Sequence, residues 1–224
     1  MREPKTVEIW AHDVQIPAGA VALEGELSIP PNAVGIVLFA HGSGSSRHSP
    51  RNQYVAQVIR EAHIGTLLLD LLTRAEEAID IQTGHLRFDV DLLASRLVEA
   101  TRWIARQDDT RYLRIGYFGA STGGGAALIA ASELGEEIRA IVSRGGRPDL
   151  AGAVLPYVKS PTLLIVGERD ELVLDLNRGA YAQLQCKKEL KTVRNATHLF
   201  GEPGALEEVA RLATHWFQRH LQPR

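Results

Sequence analysis

A single cysteine, Cys186, in 224 residues excludes an internal disulfide and points to a reducing compartment. A formal charge of −2, from 25 basic and 27 acidic side chains, provides no basic field to draw nucleic acid or an anionic membrane, so neither is expected as a partner. No run approaches the roughly 20 apolar residues needed to span a bilayer. The opening residues, Met1-Arg2-Glu3-Pro4-Lys5, carry charge with no apolar stretch behind them. No signal peptide is therefore read, and a cytoplasmic location is expected. No His-Glu-x-x-His or comparable ligand spacing occurs, so no metal is expected, nor any other cofactor. No repeat, linker or low-complexity tract divides the chain, and residues 1–224 are expected to form one domain. Oligomeric state is not readable.

What the chain does have is alternation. Val7 to Trp10 and Val21 to Ile29 alternate apolar with polar around a Pro17-Ala18-Gly19 turn, which predicts an antiparallel hairpin. Val34 to Ala40 is a continuous apolar run, as expected for a strand covered on both faces. Further strands are predicted at 64–71, 113–118, 138–142, 162–166 and 190–193. Helices are predicted at 51–62, 88–104, 122–134, 174–184 and 205–221, with residues 73–87 as a polar connector. Strand alternating with helix argues for an α/β fold: a mostly parallel eight-stranded sheet, helices on both faces and an antiparallel N-terminal hairpin.

The most informative stretch lies at residues 114–125, Arg-Ile-Gly-Tyr-Phe-Gly-Ala-Ser-Thr-Gly-Gly-Gly. A strand meets Gly119-Ala120-Ser121-Thr122-Gly123 and a helix of small residues follows, the strand–turn–helix context of a G-x-S-x-G nucleophile elbow. The turn strains the serine, and side chains two positions away on either side would collide, hence glycine at 119 and 123. The helix N-terminus aims free N–H groups at the place where an oxyanion forms.

A serine hydroxyl attacks well only when a base takes its proton, and a carboxylate orients that base. In a parallel sheet such groups sit beyond the carboxyl ends of strands. Asp170 follows the strand 162–166 and His198 follows the last strand, so both pass this filter. Glu168, Glu171 and Asp175 are the rival acids. His41-Gly42-Ser43-Gly44 ends the first parallel strand. The Ser43 N–H and the Thr122 N–H are the expected oxyanion-hole donors. Gly42-Ser43-Gly44-Ser45-Ser46-Arg47 also imitates the start of a dinucleotide fingerprint, but Arg47 stands where the third glycine belongs.

With these residues assembled, in the order Ser121, Asp170, His198, the chain resembles the α/β-hydrolase superfamily and, within it, the dienelactone-hydrolase-like branch. The resemblance covers nearly the whole chain. It implies a serine hydrolase that cleaves small or medium carboxylic esters through an acyl-enzyme, without a cap domain. The site it implies is open and lined by 43–53, 72–88, 144–157 and 199–203. Dienelactone hydrolases carry a cysteine nucleophile, whereas this elbow carries Ser121 and Cys186 lies elsewhere. That difference favours a serine esterase. Thioesters, lactones and amides use the same machinery, and a non-catalytic protein of the same fold is the alternative from outside enzymology.

Overall fold

The computed structural model describes residues 10–222. Eight strands form one sheet in the order β1-β2-β4-β3-β5-β6-β7-β8. β1 (Trp10–Ala18) and β2 (Val21–Ile29) are antiparallel. β3 (Gly35–Ala40), β4 (Gly65–Leu69), β5 (Arg114–Ala120), β6 (Ile138–Arg144), β7 (Thr162–Gly167) and β8 (Lys188–Val193) run parallel to one another. The hairpin joins this set through an antiparallel β2–β4 pairing.

The hairpin differs from expectation at its first strand. Val7 to Ile9 lie outside the described residues, and β1 continues through Pro17 to Ala18, with the turn at Gly19-Ala20. As an edge strand, β1 has one unpaired side to its ladder and so tolerates proline.

The continuous apolar runs are explained by two separate cores. Along β3, Val37 and Phe39 face a cluster with Val55 and Ile59 of α1 (Pro50–Glu61) and Val209, Trp216 and Phe217 of α6 (Ala205–Leu221). Ile36 and Leu38 face the opposite cluster. That cluster contains Leu93 and Leu97 of α3 (Val90–Ile104), Ala127 and Ala131 of α4 (Thr122–Leu134) and Ala180 of α5 (Glu171–Gln183). Each fully buried Leu or Phe side chain contributes about 1.5–3 kcal/mol, so both faces of these strands must be apolar.

Residues 73–87 are not a simple connector. They contain α2 (Arg74–Thr83), opened by a reciprocal cap between Thr73 and Glu76 and closed by Gly84 in the left-handed conformation. Only Asp80 on this helix is buried, so no apolar face announces it. Between β6 and β7 the chain forms a 3-10 stretch, Pro148–Tyr157, kinked at Gly152. Among the described residues no helix is long and apolar enough to cross a membrane.

The strand order reverses at β3, whose chain neighbour β4 lies on one side and β5 on the other. Loops leaving β3 and β5 therefore diverge, and the crevice above their carboxyl ends is where such sheets place a site.

Candidate active site

Ser121 sits in that crevice. It is the residue between β5 and α4, with φ 51° and ψ −123°. A non-glycine residue there carries strain of about 1–3 kcal/mol that surrounding structure must hold. The hold comes from the backbone: the Ser121 amide donates to Arg144 O at 3.3 Å, and Ser121 O accepts from the Gly124 and Arg147 amides at 2.9 Å each. Close packing requires the flanking glycines. A Cβ at 119 would stand 2.5 Å from Gly123 O, and one at 123 would meet Ala40 O and stand 2.6 Å from His41 O.

The loop after β3 is fixed by two bonds. The Leu71 amide donates to His41 Nε2 at 3.0 Å, so the ring proton is on Nδ1, which donates to Gly42 O at 2.9 Å. His41 thus staples the loop to the end of β4. The Ser43 amide donates to Thr122 Oγ1 at 3.0 Å, while the Thr122 amide is the first of α4, where the helix itself has no acceptor to offer. The two expected oxyanion donors are brought to one place. The hydroxyl that currently occupies the Ser43 amide is a contact sequence reasoning missed, because nothing in the pattern shows where a threonine side chain turns.

Asp170 and His198 are also brought together: His198 Nδ1 lies 2.6 Å from Asp170 Oδ2. Asp170 is the N-terminal cap residue of α5, yet its side chain makes no capping bond and faces the imidazole instead. The carboxylate is 14% exposed and the ring 39%. The rivals are engaged elsewhere or exposed. Glu168 accepts from the Asn195 amide at 2.7 Å, Asp175 pairs with Arg178 at 2.8 Å and Glu171 is exposed. The His198 loop is tied down by Glu202, which accepts from the Thr197 amide (3.1 Å) and hydroxyl (2.7 Å). The Thr197 hydroxyl holds the Glu202 carboxyl below its usual range.

Ser121 and His198 line one cleft of about 250 Å³ with Gly42, Ser43, Arg51 and Arg144. Among the described residues no hydrogen bond joins Ser121 Oγ to His198. Such contacts are often long without substrate and tighten when it binds. A larger cleft of about 630 Å³ shares Gly42, Ser43 and Arg51 with it and runs to Asp80 and Ile81 of α2. Arg144 was not singled out from sequence: burial, followed by the charge of Arg51, pushes its guanidinium down to about 10.

Cys186 stands apart from the cleft, half-buried before β8 with Sγ 3.7 Å from Thr162 Oγ1. Burial raises its pKa, which suits packing rather than attack. Among the described residues no group of three or more His, Cys, Asp or Glu side chains is placed to hold a metal ion.

A dienelactone hydrolase from Anabaena variabilis matches this structure with a TM-score of 0.95 and 58% identity, covering 96% of this chain and all of that one. The chain belongs to the dienelactone hydrolase family of α/β-hydrolases. An esterase from Pyrococcus furiosus shares the fold at a TM-score of 0.78 and 20% identity, covering 99% of this chain and 97% of that one. No family model matches. A Mycobacterium tuberculosis protein (strain H37Rv) that carries a provisional phosphoribosyl transferase name is 56% identical over 209 residues. Those residues are 93% of this chain and 46% of that protein, so the chain spans about half the length of the curated relatives it matches.

Proposed function

We propose that this family member is a serine hydrolase of carboxylic esters, with Ser121 as nucleophile, His198 as base and Asp170 as the group that orients it. The observation that carries the reading is the 2.6 Å His198–Asp170 bond in the same cleft as a strained serine at a helix N-terminus. Asp170 fixes the imidazole with its proton on Nδ1, leaving Nε2 free to accept. Ser121 Oγ attacks the ester carbonyl as its proton passes to His198 Nε2. The carbonyl oxygen becomes an oxyanion held by the Thr122 and Ser43 amides, which it reaches by displacing the Thr122 hydroxyl from the latter. His198 then protonates the departing alkoxide. Water next attacks the acyl-serine, giving one proton to His198 and its hydroxyl to the carboxylic acid, and the proton returns to Ser121.

Family membership makes a lactone the second reading, since ring opening uses the same attack but keeps alcohol and acid in one product. The phosphoribosyl transferase name belongs to relatives about twice as long.

The test is Ser121→Ala assayed with 4-nitrophenyl esters of short acids. Turnover should fall by about three orders of magnitude or more, and labelling by a fluorophosphonate should vanish. Retained turnover and labelling would remove Ser121 from the mechanism.

A further inference from the structure

Several buried or half-buried arginines of this chain are paired with carboxylates. Arg47 is paired with Asp70 and Glu24, Arg96 with Glu76, and Arg87 with Asp80. Arg144 is as buried as any of these, at 8% exposure, yet its Nε and Nη1 have no protein partner. Its other neighbours are the Phe200 ring, 6.0 Å from the guanidinium carbon, and a second cation, Arg51. The Arg51 Nε is likewise buried and unpartnered. Burying a charge without a counter-charge is costly, and no carboxylate lines the cleft that these two side chains border beside Ser121.

The rest of that wall has the same sign. Ser49 and Ser121 are the N-terminal caps of α1 and α4, so two helices turn their positive ends toward the cleft. Ser43, Ser45 and Ser49 add hydroxyl groups. Two full positive charges with several donors around them match a doubly charged, tetrahedral oxyanion better than a carboxylate with its single charge and two oxygens.

We propose that Arg144 and Arg51 bind a phosphate monoester group carried by the substrate, seating it beside the ester bond that Ser121 attacks. This deepens the proposed esterase reading and rests on it for the position of the scissile bond. The anion site itself can be tested without turnover.

Phenyl phosphate is therefore titrated into the wild-type chain, Arg51→Gln, Arg144→Gln and Ser121→Ala, following the melting temperature and calorimetric heat, with benzoate as the singly charged control. Phenyl phosphate should raise the melting temperature of wild type and of Ser121→Ala, benzoate should do so less, and each arginine variant should lose about tenfold or more in affinity. The kinetic arm compares 4-nitrophenyl butyrate with the 4-nitrophenyl ester of 4-phosphonooxybutyric acid. The ratio of kcat/KM should favour the phosphorylated ester and collapse by about tenfold or more in both arginine variants. No binding of phenyl phosphate, binding no tighter than benzoate, or binding indifferent to both substitutions overturns the proposal. Arg51 is only part-buried, so its variant keeps the test decisive if Arg144→Gln fails to fold. Loss of the nucleophile reading would show separately, as a Ser121→Ala protein that still turns over 4-nitrophenyl butyrate.

Discussion

The elbow borders the smaller cleft and α2 the larger one, and the two are held in opposite ways. The elbow is locked by backbone packed on backbone: β5, α4 and the β3 loop approach so closely that a Cβ at 123 has no room. α2 rests on side-chain clamps. Asp80 accepts from the Leu86 and Arg87 amides at 2.7 and 3.2 Å and from Arg87 Nε at 2.5 Å, while Glu76 reaches Arg96 of α3 at 2.8 Å. Packing of the first kind cannot be altered by degrees. Clamps of the second kind can be exchanged singly.

The largest effect should come from the site that the elbow serves. Asp170→Asn should lower kcat by about 10³- to 10⁴-fold with little change in melting temperature, because the wrong imidazole tautomer is then favoured. A loss under tenfold would break the link between the 2.6 Å bond and catalysis. Gly123→Ala should destabilise the whole protein by about 3 kcal/mol through overpacking against main-chain oxygens that cannot turn aside, measured by denaturant unfolding. A neutral result would mean that the elbow yields as readily as α2.

On the other side of the comparison, Asp80→Asn should speed proteolysis within 74–88 several-fold, leaving the denaturant midpoint nearly unchanged. If global stability falls instead, the two regions are not mechanically separate. Acid should act in the same way. Burial raises the Asp80 pKa, but bonds from Arg87 and the two amides outweigh it, and the net direction is down. A native value below the unfolded one gives a clamp at full strength above about pH 3.9. The clamp is lost as pH falls through the lower native value. Amide shifts of Leu86 and Arg87 should therefore move only in strong acid, and movement near neutrality would contradict this. The smallest effect is Thr73→Ala, about 1 kcal/mol of helix capping, visible as faster hydrogen exchange in the first turn of α2.

The same contrast explains what could be read from the chain. β3 to β7 were legible because strands covered on both faces are largely apolar, and β8, a half-exposed edge strand, only through its end at Leu190 to Val193. Asp170 and His198 were legible because each lies just beyond a strand end. α2 was not, since it turns no apolar stripe inward, and its capping signal at Thr73 and Glu76 sits in a polar stretch that reads as loop. The turn of the hairpin lies at Gly19-Ala20, beyond the expected Pro17, because proline signals a turn along the chain yet is tolerated on an edge strand. The isolation of Arg144 is a property of what surrounds it in space. Along the chain it sits next to Ser143 and Gly145 and looks like any strand-ending arginine.

The bond from the Ser43 amide to Thr122 Oγ1 spans 79 positions of chain, and that from His198 to Asp170 joins the two strands added last at the far border of the sheet. If Ser121, Asp170 and His198 act together as proposed, regain of turnover during refolding should lag behind recovery of helical signal, since β7 and β8 must both be docked before the three side chains meet.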